Sequence, residues 1–310
     1  MKILVTGGAG FIGSHIADRL LQLGHEVCVL DDLSTGRREN LPEGVAFEQL
    51  DVRSEDAARY VTAAGFEALV HQAAQIDVRA SVADPRLDAD VNVCGLINVV
   101  EAARRGGSLR KVLFASSGGA IYGEQERFPA TEEHPRQPES PYGVAKLCCE
   151  HYLAWFERAY GITHVALRYA NVYGPRQDPH GEAGVVAIFS QRLLAGEEVV
   201  VYGDGGQTRD FVFVGDVVEA NARALARDVR DPINVGTGVE TSVNEILHRL
   251  ARLAGREVAP RNEAARPGEQ RRSVIDPARC AELLGFTPAT DLDHGLAATL
   301  SYFRGAADGG

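Results

Sequence analysis

Short apolar runs alternate along this chain with longer stretches whose apolar residues recur every three to four positions. Lys2-Ile3-Leu4-Val5-Thr6 reads as a strand, a glycine-rich turn follows, and from Phe11 to Leu23 the apolar positions share one helical face until Gly24 ends the pattern. Further strands are predicted at 26–30, just ahead of Asp51, and at 68–71, 111–115 and 164–168, with helices around 84–105 and 140–160. Apolar strands separated by amphipathic helices predict an α/β fold with a doubly wound parallel sheet, covered by helices on both faces. Beyond residue 170 the texture changes. Turn-rich segments at 173–184 and 203–208 are interspersed with short strands and with helices near 242–253 and 277–284. The expectation is a first domain over 1–169, able to take back an element from about 207–236, and a smaller α/β domain over 170–310.

With 310 residues, 45% of them hydrophobic, the chain has ample material for a sizeable core. A net charge of -11 argues against a nucleic-acid partner and leaves any anionic ligand to a few placed arginines. No apolar run approaches the roughly 18–20 residues that span a bilayer, and the N-terminus runs directly into the first strand. No membrane partner is expected, and the cytoplasm is the expected address. Cys28, Cys94, Cys148, Cys149 and Cys280 show no C-x-x-C spacing, so five buried thiols and no metal site are expected.

The turn after the first strand is Thr6-Gly7-Gly8-Ala9-Gly10-Phe11-Ile12-Gly13, which satisfies G-x-G-x-x-G from Gly8 and also places a glycine at every third position from Gly7. Between a strand and a helix, such a turn lets the backbone approach a pyrophosphate, whose charge the helix N-terminus stabilises. This is the dinucleotide-binding pattern of a Rossmann sheet. Asp31 ends the second strand at the spacing of the acid that bonds the adenosine ribose, where its charge repels a 2′-phosphate. NAD is therefore expected rather than NADP, although Arg37 and Arg38 follow closely. Asp51-Val52 suits the adenine edge, and Ala73-Ala74-Gln75 offers small residues near the pyrophosphate, with simple strand termination as the competing reading for both.

The chain holds three lysines among its 32 basic residues, and one of them, Lys146, stands four positions after Tyr142 within a predicted helix. That spacing puts both on one helical face. A compact ammonium and an oxidised nicotinamide would each lower the pKa of a phenol by roughly 1–3 units, which suits Tyr142 to take a proton from a sugar hydroxyl while hydride leaves the same carbon.

Several segments together resemble the extended short-chain dehydrogenase/reductase family, and within it the UDP-glucose (UDP-galactose) 4-epimerases. They are Thr6–Gly13, Asp31, Val91-Asn92, Ser116–Gly123, Tyr142 with Lys146, Arg168–Pro175, Arg209-Asp210-Phe211 and Arg266-Pro267-Gly268-Glu269, and the similarity covers essentially the whole chain. The resemblance implies that Tyr142 is the acid and base, and that Lys146 holds the nicotinamide ribose. It implies NAD contacts from Gly7, Gly10, Phe11, Ile12, Gly13, Asp31, Asp32, Ser34, Thr35, Gly36, Asp51, Val52, Gln72, Ala73, Ala74, Gln75, Asn92 and Tyr169. On the substrate side it implies Asn171, Val185, Val186, Tyr202, Phe211, Val243, Glu269 and Ser273, with Arg209 and Arg266 on the diphosphate. A homodimer built from the helices around 84–105 and 140–160 is implied as well.

One departure stands out. Relatives carry a Ser or Thr, bonded to the sugar hydroxyl and the tyrosine, where this chain has Gly118, so Ser117 or Ser116 is left to supply the hydroxyl. The implied reaction is oxidation at C4 of a UDP-hexose, rotation of the 4-keto sugar and return of hydride to its other face. Gly118 and Gly119 bring no acid for dehydration, and Asp178 occupies the place where uronate epimerases carry an arginine, so a neutral hexose is expected. Ser273 falls where a bulky tyrosine restricts relatives to plain hexoses, which predicts room for UDP-GlcNAc and UDP-GalNAc. A UDP-uronate 4-epimerase or another nucleotide-sugar epimerase or dehydratase is the alternative, UDP and dTDP remain open for the nucleotide, and a non-catalytic NAD-sensing regulator is the rival from another class.

Overall fold

In β1 (Lys2–Thr6) Ile3 and Val5 pack into one hydrophobic core and Leu4 into another, so its apolar run is continuous because both faces are buried. The computed structural model describes residues 1–180, 184–265 and 270–308. Along the chain follow α1 (Phe11–Gln22), β2 (Glu26–Asp31), β3 (Ala46–Gln49), α2 (Glu55–Ala64), β4 (Ala68–His71), α3 (Val78–Ala83), α4 (Pro85–Ala89), α5 (Gly95–Arg105), β5 (Lys111–Ser117), α6 (Pro141–Tyr160) and β6 (Thr163–Tyr169). Next come β7 (Asn171–Tyr173), α7 (Val185–Ala195), β8 (Val200–Tyr202), β9 (Thr208–Phe213), α8 (Val214–Ala226), β10 (Ile233–Val235) and β11 (Glu240–Ser242). The chain closes with α9 (Val243–Ala254), β12 (Arg261–Glu263), β13 (Arg272–Ser273), α10 (Ala278–Leu284) and α11 (Leu292–Asp308).

Seven strands form one parallel sheet in the order β10-β6-β5-β4-β1-β2-β3. Strand order reverses between β1 and β4, the switch point at which doubly wound sheets open a crevice beyond their carboxyl ends. Residues of α1 and α8 fill the core on one face, and residues of α2, α5 and α6 fill the other. The predicted helix over 84–105 is broken into α4 and α5 by a π-turn at Asp90–Cys94. A π-turn displaces the backbone ladder by one residue, which apolar periodicity does not register.

A smaller assembly is centred on β9, which pairs in parallel with β7 and β13 and antiparallel with β11. Its core holds Phe189, Val201, Phe211, Ile246, Leu250 and Leu296. The chain does not simply pass from one assembly to the other. Although they follow residue 170, α8, β10 and α10 pack on the large sheet, where Val217, Ile233, Cys280 and Leu284 join the α1 side of the core. Buried Asp210 fastens β9 to this return by accepting from Thr237 N, Thr237 Oγ1 and Gly238 N at 2.6–3.1 Å. Among the described residues no helix is long and apolar enough to cross a membrane. The cysteines are free thiols, but the expectation that all five are buried fails. Cys94 is exposed and Cys148 half-buried, because the π-turn carries Cys94 onto the outer surface.

Candidate functional site

A cleft of about 570 Å³ opens over the switch point. Gly7, Gly10, Phe11, Ile12 and Gly13 line it, together with Asp31, Asp32, Ser34, Thr35, Asp51, Val52, Gln72, Ala73, Ala74, Gln75, Tyr142, Lys146 and Tyr169 from the expected cofactor set. Of the two glycine registers, the one starting at Gly7 faces the cleft. A Cβ on Gly7, which has φ +66°, would stand 2.5 Å from Ala73 N, and one on Gly13 would stand 2.2 Å from Gly7 O. Gly8 instead abuts the Val29 side chain, so the G-x-G-x-x-G reading counted one packing glycine. The N-cap of α1 is Gly10, without a side-chain acceptor, and the first turn carries no acid. Its N–H groups are thus left for a ligand anion. Glycines at 7 and 13 let the backbone of the turn close tightly against Ala73 and the start of α1, and a close backbone surface beside a helix N-terminus fits a dinucleotide pyrophosphate.

Asp31 accepts from Ala9 N at 3.0 Å and Leu33 N at 2.8 Å. Burial pushes its carboxyl above the usual range, and those two bonds oppose the rise. Two expected contacts stand behind the lining instead of in it. Gly36 backs the Asp31 carboxylate, which a Cβ there would meet at 2.7 Å. Asn92, in the π-turn, is buried and grips Gln75, donating to Gln75 O and accepting from Gln75 N, both at 3.0 Å. Asp51 is clamped by Arg53, whose Nη2 lies 2.6 Å from Oδ2, and this pairing holds its carboxyl below the usual range.

Helix α6 begins with Pro141, and its N-cap Ser140 accepts from Gly143 N at 3.2 Å. A Cβ on Gly143 would stand 2.6 Å from Ala120 O, so the glycine lets the helix end lie against the loop after β5. That approach brings Tyr142 to the Ser117 hydroxyl. Lys146, one turn on, is buried and donates to Ala115 O at 2.8 Å. Burial brings its ammonium down to about 8, with Cys149 and Asp88 opposing the fall. The phenol moves against the sequence-based expectation. Burial pushes Tyr142 well above the ordinary tyrosine value, the bond to Ser117 lowers it, and Asp88 and Cys149 raise it. Desolvation of a phenolate outweighs what the Ser117 hydroxyl returns, and the neighbouring acidic groups add to the rise.

The two candidate serines point to different partners, as consecutive strand residues must. Ser116 Oγ donates to Glu150 Oε1 at 2.6 Å, within a buried network in which Arg168 pairs with Glu150 through Nε at 3.0 Å and Nη2 at 2.7 Å. Glu150 continues the Tyr142-Lys146 stripe by one more turn, a signal in the sequence that was passed over. Position 118 faces packing, since a Cβ there would meet Ile275 Cδ1 at 2.8 Å. Position 119 faces the site: its Cβ would stand 3.7 Å from Asn171 Oδ1, 3.9 Å from Ser273 Oγ and 4.0 Å from Ser117 Oγ. Side chains from β5, β7 and β13 therefore converge there.

Other expected sugar-side residues are placed differently. Val186, Phe211 and Val243 are buried in the core of the smaller assembly and Val185 packs against it, so their side chains fill that core. Tyr202 is half-buried on β8, and Arg209 donates to Thr208 O at 2.8 Å on β9, in register with Ser273. Arg266 and Glu269 lie outside the described residues. Asp178, which stands where uronate epimerases carry an arginine, lies at the cleft with its Oδ1 3.4 Å from Arg37 Nη2. Sequence reading also missed Arg176 and Gln177, which line the cleft, and Asn221, which donates to Tyr169 OH at 2.8 Å.

Residues 3–236 match the family described as "NAD dependent epimerase/dehydratase family". A UDP-glucose 4-epimerase from Mycolicibacterium smegmatis is 46% identical over 310 residues, covering 98% of this chain and 99% of that protein. The crystallised UDP-glucose 4-epimerase of Thermotoga maritima, solved with UDP-glucose, superposes with a TM-score of 0.96 at 45% identity, covering 99% of this chain and 100% of that one. The Thermus thermophilus UDP-glucose 4-epimerase, in complex with NAD, gives a TM-score of 0.92 at 48% identity with the same coverage.

Proposed function

The chain belongs to the NAD dependent epimerase/dehydratase family, and from that membership and the cleft we propose that it is an NAD-dependent UDP-hexose 4-epimerase. It interconverts UDP-glucose and UDP-galactose through a 4-keto sugar, and also UDP-GlcNAc and UDP-GalNAc. One observation carries the reading: Tyr142 and buried Lys146, whose Nζ lies 5.6 Å from the centre of the Tyr142 ring, stand in the wall of a cleft that also holds Gly7, Gly10, Gly13 and Asp31. The UDP-glucose and the NAD bound by two relatives support it.

NAD held in this cleft would supply a hydride acceptor and donor for C4 of the sugar. Gly7, Gly10 and Gly13 would admit the pyrophosphate, Asp31 would bond the ribose hydroxyls, and Lys146 would bond the nicotinamide ribose. Tyr142 takes the proton of the 4-hydroxyl in the first half-reaction and gives it back in the second. Its high intrinsic pKa suits the second role, and the cationic form of the cofactor favours the first. Ser117 orients the sugar hydroxyl against the phenol, while Ser116 is committed to Glu150. Asn171 and Ser273 border the sugar, and the small Ser273 leaves room for an acetamido group. Arg209 and Arg266 hold the diphosphate.

In this division, residues 1–169 with α8, β10 and α10 form the cofactor-binding unit, to which the 176–178 loop adds its lining, and the assembly around β9 binds the nucleotide sugar. The partner is a second copy of the chain, because Val82 on α3, Leu87 on α4, and Val144, Tyr152 and Trp155 on α6 are exposed apolar side chains on neighbouring helices. Five free thiols, one of them exposed, suit a reducing cytoplasm.

The test is to incubate purified protein separately with UDP-glucose, UDP-GlcNAc, UDP-glucuronate and dTDP-glucose. Epimers of the first two are expected, and Tyr142→Phe should abolish their formation while NAD stays bound. Failure of the wild type to interconvert any nucleotide sugar would overturn the enzyme reading in favour of a cofactor sensor.

A further inference from the structure

We propose that Asp178 is a specificity-determining residue for the cofactor: by engaging Arg37 it withholds that guanidinium from a 2′-phosphate and so favours NAD over NADP. The inference rests on the reading that the cleft binds NAD.

Asp31 alone is an incomplete barrier, since Arg37 follows it by six positions and lines the same cleft. A guanidinium beside the ribose acid is a ready fork for phosphate oxygens. Arg38 poses no such problem, being stacked over the Phe47 ring at 4.7 Å and turned to Gln49 Oε1 at 3.4 Å. Arg37 is held close by its main chain, which donates to Ala9 O at 2.9 Å. Its side chain meets Asp178, whose Oδ1 lies 3.4 Å from Nη2.

Asp178 arrives from the loop after β7, 141 residues away in sequence, and that loop is moored to α1. His15 Nε2 donates to Pro175 O at 3.0 Å, and Arg176 Nη1 bonds Asp18 Oδ2 at 2.7 Å. His180 N donates to Asp178 Oδ1 at 3.1 Å, which fixes the carboxylate towards Arg37. Both side chains of the pair are about half exposed, at 52% and 41%, so the bridge adds little to stability. Its consequence is electrostatic: with Arg37 matched by Asp178, the charges of Asp31 and Asp32 on the same lining stand unopposed by it, while Arg53 is turned to Asp51 and Asp90 and Arg176 to Asp18.

The test is competition of NAD and NADP for the purified protein, with retained nucleotide quantified after desalting. Asp178→Asn keeps an acceptor for His180 N and removes the charge. It should raise the NADP-to-NAD ratio about fivefold at low ionic strength, the size expected of one partly exposed charge interaction, with the gain shrinking in high salt. The double variant Arg37→Ala/Asp178→Asn should return the ratio to the wild-type value. An unchanged ratio in Asp178→Asn, or an equal rise in the double variant, would overturn the inference while leaving NAD as the cofactor. A wild type that retains NADP as readily as NAD would overturn both.

Discussion

Removing the Ser116 and Ser117 hydroxyls one at a time should give opposite phenotypes. In Ser117→Ala the phenol of Tyr142 loses the bond that lowers its pKa, and burial continues to raise it. A positioned donor at a reacting oxygen is worth about 10²–10³ in rate, so kcat should fall by about that factor with little change in stability. In Ser116→Ala the loss is a 2.6 Å bond to a buried carboxylate that keeps two bonds from Arg168. A hydrogen bond to a charged group contributes about 1.5–3 kcal/mol, so that variant should lose about 2 kcal/mol of stability and retain kcat within about threefold. A coupled epimerisation assay reads the first effect. The second is read by urea unfolding, as a lower midpoint at constant m-value. If Ser116→Ala lost the activity and Ser117→Ala kept it, the assignment of Ser117 to Tyr142 would be wrong.

Two further outcomes are expected. Ser273→Tyr fills the space beside Gly119 and should suppress turnover of UDP-GlcNAc by at least about tenfold relative to UDP-glucose, the discrimination typical of a pocket filled by a few heavy atoms; equal loss on both substrates would remove Ser273 as the determinant. Buried His71 has its pKa lowered from 6.5 to about 3, mainly by burial and secondarily by Lys146. The unfolded chain therefore binds the extra proton first: the stability is full above about pH 6.5 and declines by about 1.4 kcal/mol per pH unit as pH falls towards 3. His71→Asn should flatten that slope in urea titrations at pH 7, 6 and 5, and parallel curves for variant and wild type would count against a buried neutral imidazole.

Much of the large sheet was legible because its strands are buried on both faces and its helices on one, so each element carries its own periodicity. The same holds for Gly7, Gly10 and Gly13, whose spacing is a local backbone requirement, and for Tyr142 and Lys146, whose four-residue separation is a property of any helix. Burial itself was not legible in the sequence: Val186 and Val243, placed on the substrate side by the family resemblance, have their side chains in the core of the smaller assembly. The direction of the Tyr142 shift was missed for the same reason, since desolvation depends on how much protein surrounds the phenol.

The class of fold, the glycine loop and the placing of Tyr142 and Lys146 on one helical face were all written in the order of residues, because they depend on spacings of a few positions within one element. Packing settled that Ser116 is bonded to Glu150, which glycine opens onto Asn171 and Ser273, and that Asp178 stands against Arg37. Each of those follows from where a side chain points once distant segments have come together. Ser116 and Ser117 are adjacent in sequence yet belong to opposite faces of β5, while Arg37 and Asp178 are 141 residues apart and meet across one cleft.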